Sequence, residues 1–394
     1  MQFANYPQFF YNGKMTDKKI LIIGAGNMAQ PMIISLIKHQ KTAPENLTIV
    51  TGKSAGKNKA AIHALFAENN LTAYNNCVFE KTPPANLPAP DVVIFAAKPV
   101  YFEQIATQYQ STITPDTQVV SIATAITTQD FKKHWGEGIS VIRTMPHLPR
   151  GLYGIYADAK VDMQFLQTAF NDMGKPIILE NEDADFHRFA AHSGCGPAFI
   201  AQFLARLPDE KQREAATDTL TKMAKGEKIT GNLYSKEQQQ TITRTVNFYN
   251  HWLSVAQYHF TDKAAQVLNP TILSTIAHLE KTHIAPADFA RKVRSAKGVT
   301  NAGLLVMGSP PPNDPHFGDK AEMIAQTAES TYYQRITPED SIVYALLASE
   351  ARSVGMGEKT ELNKHPLYLA GNQQFADIKR EGDVFLQSLQ TRTK

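Results

Sequence analysis

Residues 19 to 29 read Lys-Ile-Leu-Ile-Ile-Gly-Ala-Gly-Asn-Met-Ala, a short apolar run that breaks directly into a turn with glycines at Gly24 and Gly26. Few local architectures accept that pattern, because a buried strand must hand over at once to a helix. Gly24 lets the backbone turn sharply, Gly26 lets it come close to a bound group, and small Ala29 lets the new helix pack on the sheet. The free N–H groups at the start of such a helix suit the pyrophosphate of a dinucleotide.

The following residues extend that reading into alternating strands and helices. Apolar residues at Met28, Met32, Ile33, Leu36 and Ile37 recur at helical spacing over 28 to 39, with Pro31 in the first turn, where its missing N–H is harmless. Leu47 to Val50 predicts a second strand, and its exit, Thr51-Gly-Lys53-Ser54-Ala-Gly-Lys57, lacks the acidic residue that would bond a free ribose hydroxyl. Lys53 and Ser54 in that loop suit a 2′-phosphate, which favours NADP(H) over NAD(H). The segment Asp91-Val-Val-Ile-Phe-Ala-Ala-Lys98-Pro99 predicts a buried parallel strand whose carboxyl end carries a ligand-side loop, and 119 to 126 and 139 to 143 predict two more. A doubly wound sheet is expected to be complete by about residue 150.

At 394 residues the chain exceeds one core of ordinary size, so a second domain is expected. Lys and Arg outnumber Asp and Glu by only three, 40 against 37, which gives no reason to expect nucleic acid as a partner. The apolar runs are far shorter than the roughly 20 residues a membrane-crossing helix needs, and no membrane association is expected. The two cysteines, Cys77 and Cys195, fit reduced thiols in a cytoplasmic protein rather than a disulfide framework. None of the twelve histidines is spaced as a metal-binding pair with a nearby carboxylate, so no metal is expected. Cys195 lies between two glycines without an evident base, and a packing role is expected for it.

In order along the chain, these motifs resemble those of the pyrroline-5-carboxylate reductase family. Ile23 to Ala29 is similar to its nucleotide loop, Ala97-Lys98-Pro99 to its nicotinamide-side loop, and 120 to 127 to its next strand and turn. Arg143-Thr-Met-Pro-His-Leu-Pro149 resembles its Met-Pro-Asn-Thr-Pro segment, Ser193-Gly-Cys-Gly-Pro-Ala-Phe199 its Ser-Gly-Ser-Gly-Pro-Ala-Tyr, and Ser295-Ala-Lys-Gly-Val-Thr300 its Ser-Pro-Gly-Gly-Thr-Thr. The resemblance covers about residues 18 to 205 and 260 to 307.

It implies a Rossmann-like, doubly wound parallel sheet followed by an all-α dimerisation and catalytic domain, an α/β protein overall. The expected organisation is an N-terminal arm (1–17), an NADP-binding domain (18–180), a helical domain (181–307) with an insertion at about 206–258, and a proline-rich connection with a helical extension (308–394). By the resemblance, Gly24, Gly26, Asn27 and Met28 hold the pyrophosphate, and Asn75, Ala97, Lys98, Pro99, Ala123 and Thr124 line the ribose and nicotinamide side. Ser295, Gly298 and Thr300 hold the substrate, and Asp183 lies near its ring nitrogen. The implied activity is NADPH-dependent reduction of the cyclic imine 1-pyrroline-5-carboxylate to L-proline, by a homodimer or higher homo-oligomer.

The sequence departs from the family at His147, Arg150, Ala296 and Lys297, all on the substrate side. These changes leave open a different cyclic imino acid, or a 2-oxo or 2-hydroxy acid, as substrate. A Rossmann nucleotide loop is equally compatible with an inactive NADP(H)-binding partner protein.

Overall fold

In a computed structural model, the described residues are 17–26, 28–40, 42–52, 56–124, 126–147, 150–157, 163–182, 184–229, 235–293, 299–307, 336–357 and 375–392. Eight strands lie in the sheet order β3-β2-β1-β4-β5-β6-β7-β8. The chain divides into two compact units, the first built from the residues up to Ser121, Lys132–Val141 and the stretch ending at Asp172, the second from Ile122–Phe131, Ile142 through the following strand, and everything from Met173 onward.

The first unit contains β1 (Ile20–Ile23), α1 (Ala29–Gln40), β2 (Leu47–Thr51), α2 (Lys57–Glu68), β3 (Val78–Glu80), β4 (Val92–Phe95), α3 (Phe102–Tyr109) and β5 (Gln118–Ser121). Its strands are parallel, with Ile23 opposite Val50 on one side and Phe95 on the other. β1 and β4 are buried along their whole length, as expected of strands covered on both faces. The carboxyl ends of β1, β2, β3 and β4 therefore point the same way. In open α/β sheets this is the end where ligands bind.

α4 (Thr128–Trp135), β6 (Ser140–Pro146), β7 (Gly151–Ala157), α5 (Met163–Ala169) and β8 (Gly174–Ile178) follow. The sheet thus does not stop near residue 150: β7 runs antiparallel to β6, and β8 parallel to β7. The result is mixed and mostly parallel. β8 carries Pro176 and is half open to solvent, which its edge position tolerates because an edge strand leaves one row of N–H groups unpaired.

The second unit continues with α6 (Ala184–Phe189), a π-helical turn (Ala190–Gly194), α7 (Gly196–Ala205), α8 (Glu210–Lys225), α9 (Lys236–Phe260), α10 (Ala264–Thr282), α11 (Pro286–Val293) and α12 (Val299–Val306), then α13 (Ser341–Gly357) and α14 (Phe375–Arg392). The local signals are explicit in the sequence. Asp209 caps α8 by accepting from the Gln212 N–H, and Gly226 ends it in the left-handed region at φ 72°. Ser235 and Gln238 form a capping box that starts α9. The expected proline-rich connection and the first part of the helical extension, residues 308 to 335, fall outside the described residues.

Phe203 stacks on Phe248 with ring centroids 4.3 Å apart, and Trp252 is fully buried against them. Both glycines that flank this core answer to bulky neighbours. A Cβ on Gly196 would lie 2.9 Å from the Trp252 indole, and one on Gly303 would lie 2.4 Å from the Phe199 ring and 2.6 Å from Ser349 Oγ. Gly303→Ala is therefore expected to destabilise the chain by about 2 kcal/mol through overpacking. A urea-unfolding midpoint equal to that of the parent chain would contradict the closeness of α12 and α13.

Candidate nucleotide and substrate sites

The first site forms in the first unit, where β1 turns into α1. Gly24 takes φ +101°, its N–H donates to the Val50 carbonyl at 2.8 Å, and the Ala96 N–H donates to the Ile23 carbonyl at 2.8 Å. A Cβ at Gly24 would meet the Ala96 carbonyl oxygen at 2.5 Å, so the protein itself demands glycine there. Gly26 differs: a Cβ there would meet nothing within 4 Å, and the residue is exposed. Its missing side chain leaves open space above the turn, as a closely approaching pyrophosphate requires.

Above these turns is a cavity of about 410 Å³ lined by residues that include Gly24, Gly26, Thr51, Gly52, Ala97 and Lys98. The expected Gly24, Gly26, Ala97 and Lys98 are thus brought together. Met28, half-buried, begins the turn into α1, and Pro99 opens the 3-10 turn at the end of β4. Lys98, at the head of that turn, is exposed. Asn75 lies elsewhere, in the 3-10 turn before β3, with its Oδ1 buried and without a hydrogen-bond partner, and it is not among the cavity-lining residues. Asn27, Lys53 and Ser54 fall outside the described residues.

Sequence reasoning missed the far wall of this cavity. Lys81, Asn58 and, on successive turns around α3, Tyr101, Gln104 and Gln108 line it. The spacing of 101, 104 and 108 is that of one helix face, a signal present in the sequence but indistinguishable there from an ordinary solvated face. Of the lining residues only Lys81 and Lys98 carry charge, and both are cationic. A cavity whose described lining joins glycines, amides, tyrosines and aliphatic side chains to two lysines, with no carboxylate among them, fits a dinucleotide, which has anionic phosphates and apolar ring faces.

The second group of expected residues lies in the second unit. Ala123 is buried and Thr124 half-buried in the turn that follows β5. The start of α4, a few residues on, is held by a residue the sequence reading passed over. Glu182 accepts from the Thr128 N–H and, at 2.6 Å, from the Thr128 hydroxyl, and it also accepts from Arg143 Nη1 at 3.2 Å. The buried Arg143 guanidinium stacks on the Phe186 ring, 3.9 Å from its centroid. Asp183, the neighbour of Glu182, is outside the described residues, as are Ser295, Gly298 and Lys297.

Thr300 is buried in the first turn of α12, and its hydroxyl donates to Cys195 Sγ at 3.4 Å. Burial pushes the Cys195 thiol up to about 11, so it stays protonated at neutral pH. Cys195 is a packed helix-entry residue.

Two of the departures from the family separate cleanly. Arg150 is exposed at a left-handed turn, φ 79°, entering β7. His147 is fully buried: its Nδ1 donates to the Ser193 carbonyl at 2.7 Å, and its Nε2 lies 2.7 Å from Ser274 Oγ, which is itself 2.6 Å from the Pro270 carbonyl. Desolvation holds His147 neutral, with its pKa lowered to about 4. The residue before Ser193 in the π-helical turn, His192, is held as well. Trp252 Nε1 donates to His192 Nδ1 at 3.0 Å, so His192 donates through Nε2 to His259 Nδ1 at 3.0 Å, and His259 Nε2 faces Glu350 Oε2 at 3.3 Å. Burial lowers the pKa of His259 to about 3 and that of His192 well below the ordinary value. The π-helical turn carrying Ser193 is thus gripped by two neutral histidines.

Comparison with known sequences bears on both units. A family model described as NADP oxidoreductase, coenzyme F420-dependent, matches residues 19–125. The pyrroline-5-carboxylate reductase of Pasteurella multocida is 27% identical over 201 residues, 49% of this chain and 69% of that one. That of Arabidopsis thaliana is 26% identical over 199 residues, 48% and 67% of the two chains. This chain is a distant relative of the pyrroline-5-carboxylate reductases. The relationship, at about a quarter identity over half the chain, places it among NAD(P)-binding oxidoreductases. Among solved structures, a Coxiella burnetii pyrroline-5-carboxylate reductase aligns with 87% of this chain and 100% of its own at 18% identity and a TM-score of 0.44. A Plasmodium falciparum pyrroline carboxylate reductase solved with NADP bound aligns at 14% identity and a TM-score of 0.42, covering 88% of this chain and 100% of its own. Among the described residues, no helix is long and apolar enough to cross a membrane.

Proposed function

We propose that this protein reduces the cyclic imine 1-pyrroline-5-carboxylate to L-proline with NADPH, as a cytoplasmic homodimer or higher homo-oligomer. The observation that carries the reading is the lysine-bearing, carboxylate-free cavity over Gly24 and Gly26 in a chain related to reductases of that substrate. Bound NADPH would supply the hydride for the imine carbon. The chain's own residues have the remaining work. Gly24 fixes the turn, Gly26 leaves the space above it open, and Lys98 balances phosphate charge. Glu182, through Thr128 and Arg143, holds the start of α4, which follows the segment of Ala123 and Thr124. The Ser295 hydroxyl and the N–H groups around Gly298 would take the substrate carboxylate, since a carboxylate accepts several hydrogen bonds at once, and the Thr300 hydroxyl would turn from Cys195 Sγ to the ring nitrogen. Asp183 would face the ring nitrogen. Orientation of this kind contributes roughly 7–11 kcal/mol where reactants are well aligned.

A second reading, a more anionic imino acid or a 2-oxo acid as substrate, is favoured by the exposed Arg150. The test is NADPH oxidation by the purified full chain with pyrroline-5-carboxylate and, in parallel, other cyclic imino acids and 2-oxo acids. Rapid turnover with pyrroline-5-carboxylate supports the proposal. Faster turnover with another acid moves the assignment to that acid, and tight NADPH binding without any turnover leaves a binding protein. Thr300→Ala is expected to lower kcat at least tenfold with NADPH affinity unchanged, whereas Thr300→Ser retains most activity. Full turnover by Thr300→Ala would remove Thr300 from the mechanism.

A further inference from the structure

The last residue of β2, Thr51, stands where an acidic side chain would bond a ribose. Its hydroxyl is not offered to a ligand: Oγ1 donates to the Phe79 carbonyl on β3 at 3.3 Å, and Thr51 is 1% exposed. Among the described residues that line the cavity, the charge beside the β2 exit comes from the end of β3. There Thr51 pairs with Glu80, and the Lys81 N–H donates to the Thr51 carbonyl at 2.9 Å, which brings Lys81 alongside Gly52. Lys81 takes φ 69°, a left-handed conformation that non-glycine residues rarely adopt. Glu80 holds the turn from the other side, its Oε1 accepting from the Gly56 N–H at 3.1 Å. Glu80 is not among the cavity-lining residues, whereas Lys81 is exposed and lines the cavity.

Lys81 and Lys98 do not serve the same anion. The strand order places the ends of β3 and β4 three strand spacings apart, roughly 14 Å. Lys98 follows β4, on the far side of the glycine turn, while Lys81 flanks the exit of β2. A ligand that meets both lysines carries two separated anionic groups, as a dinucleotide with a 2′-phosphate on its adenosine ribose does.

Resting on the NADP(H) reading above, we infer that Lys81, at the end of β3, is a 2′-phosphate-recognising residue that sets the preference for NADPH over NADH. This adds to the β2-exit loop a determinant from a neighbouring strand. Lys81 lines the cavity from a left-handed backbone position, and the neighbouring Glu80 is tied to the Gly56 N–H at the start of α2.

The experiment is fluorescence titration of the full-length protein with NADPH and with NADH, which needs no substrate. Lys81→Ala is expected to weaken NADPH at least tenfold and NADH less than twofold, and Lys81→Arg to keep most of the preference. Lys98→Ala is the contrast and is expected to weaken both nucleotides similarly. Equal losses of NADPH and NADH in Lys81→Ala, or no loss of either, would overturn the assignment. A parent chain that binds neither nucleotide would overturn both this inference and the proposed function. NADPH binding that obeys these expectations in a chain without imine turnover would overturn the proposed reaction while supporting the role of Lys81.

Discussion

Gly24→Val is expected to abolish measurable NADPH binding and to destabilise the chain by about 3 kcal/mol. The reason is local and steric. At φ +101° an L side chain is already disfavoured, and its Cβ would sit 2.5 Å from the Ala96 oxygen, 2.6 Å from the Ala96 carbonyl carbon and 2.8 Å from the Ala97 nitrogen. These are backbone atoms of the β4 exit, so no rotamer change relieves the contact. The β1 turn would have to move off both β2 and β4, breaking the Gly24–Val50 and Ala96–Ile23 hydrogen bonds that align the cavity's glycine and Lys98 walls. Gly26→Ala supplies the decisive contrast. Nothing in the protein meets its added Cβ, so its unfolding midpoint is expected to match the parent chain while NADPH affinity falls at least tenfold. If Gly26→Ala bound NADPH normally, the ligand would not approach that turn, and the cavity would have to be reassigned.

The second large effect is an acid instability centred on the buried histidines. His147 and His259 have folded-state pKa values lowered to about 4 and about 3 by burial, against about 6.5 in an unfolded chain. Between pH 6.5 and 4 the unfolded state therefore binds more protons than the folded state, so stability falls as pH falls. It is fully present above pH 6.5. Each of the two sites is expected to lose about 2 kcal/mol between pH 7 and pH 5, and His147 about 3 kcal/mol by pH 4. Urea unfolding at pH 7 and pH 5 measures the loss, and His147→Asn isolates one contribution. Asparagine can still donate to the Ser193 carbonyl but does not titrate, so the variant should lose less stability on acidification than the parent chain. Identical pH dependence in the two chains would mean that His147 is not held neutral in the fold. The functional consequence is specific. Protonation strikes the segment carrying Ser193 and His192, so acid should loosen the entrance to α7 before the first unit opens.

Much of the nucleotide-binding unit was legible in the residues themselves. Contiguous apolar runs such as Ile20–Ile23 and Val92–Phe95 have few alternatives to buried parallel strands, and a glycine placed immediately after one is a local instruction to turn. Helix boundaries at Asp209, Gly226 and Ser235 follow from hydrogen bonding within a few residues of each position. Such features depend on short stretches of chain, and short stretches are what a sequence displays directly. By contrast, β7 and β8 went unread because a strand containing Gly and Pro gains its hydrogen bonds from neighbours rather than from its own propensity.

Only the tertiary structure decided the roles that depend on residues far apart in the chain. Gly196 must lack a side chain because Trp252, 56 positions later, lies against it. His147 reads as a possible substrate contact in the sequence, yet burial between Ser193 and Ser274 makes it a neutral clamp. Lys81 carries no signal in the sequence, and only the register of β3 on β2 brings it beside Gly52. The sequence alone determined where the first strands are buried and where the chain turns at Gly24 and Gly26, because those properties are local. Which charges face the cavity there, and which histidines are denied protons, were decided by strand register and desolvation, and neither exists until the chain has folded.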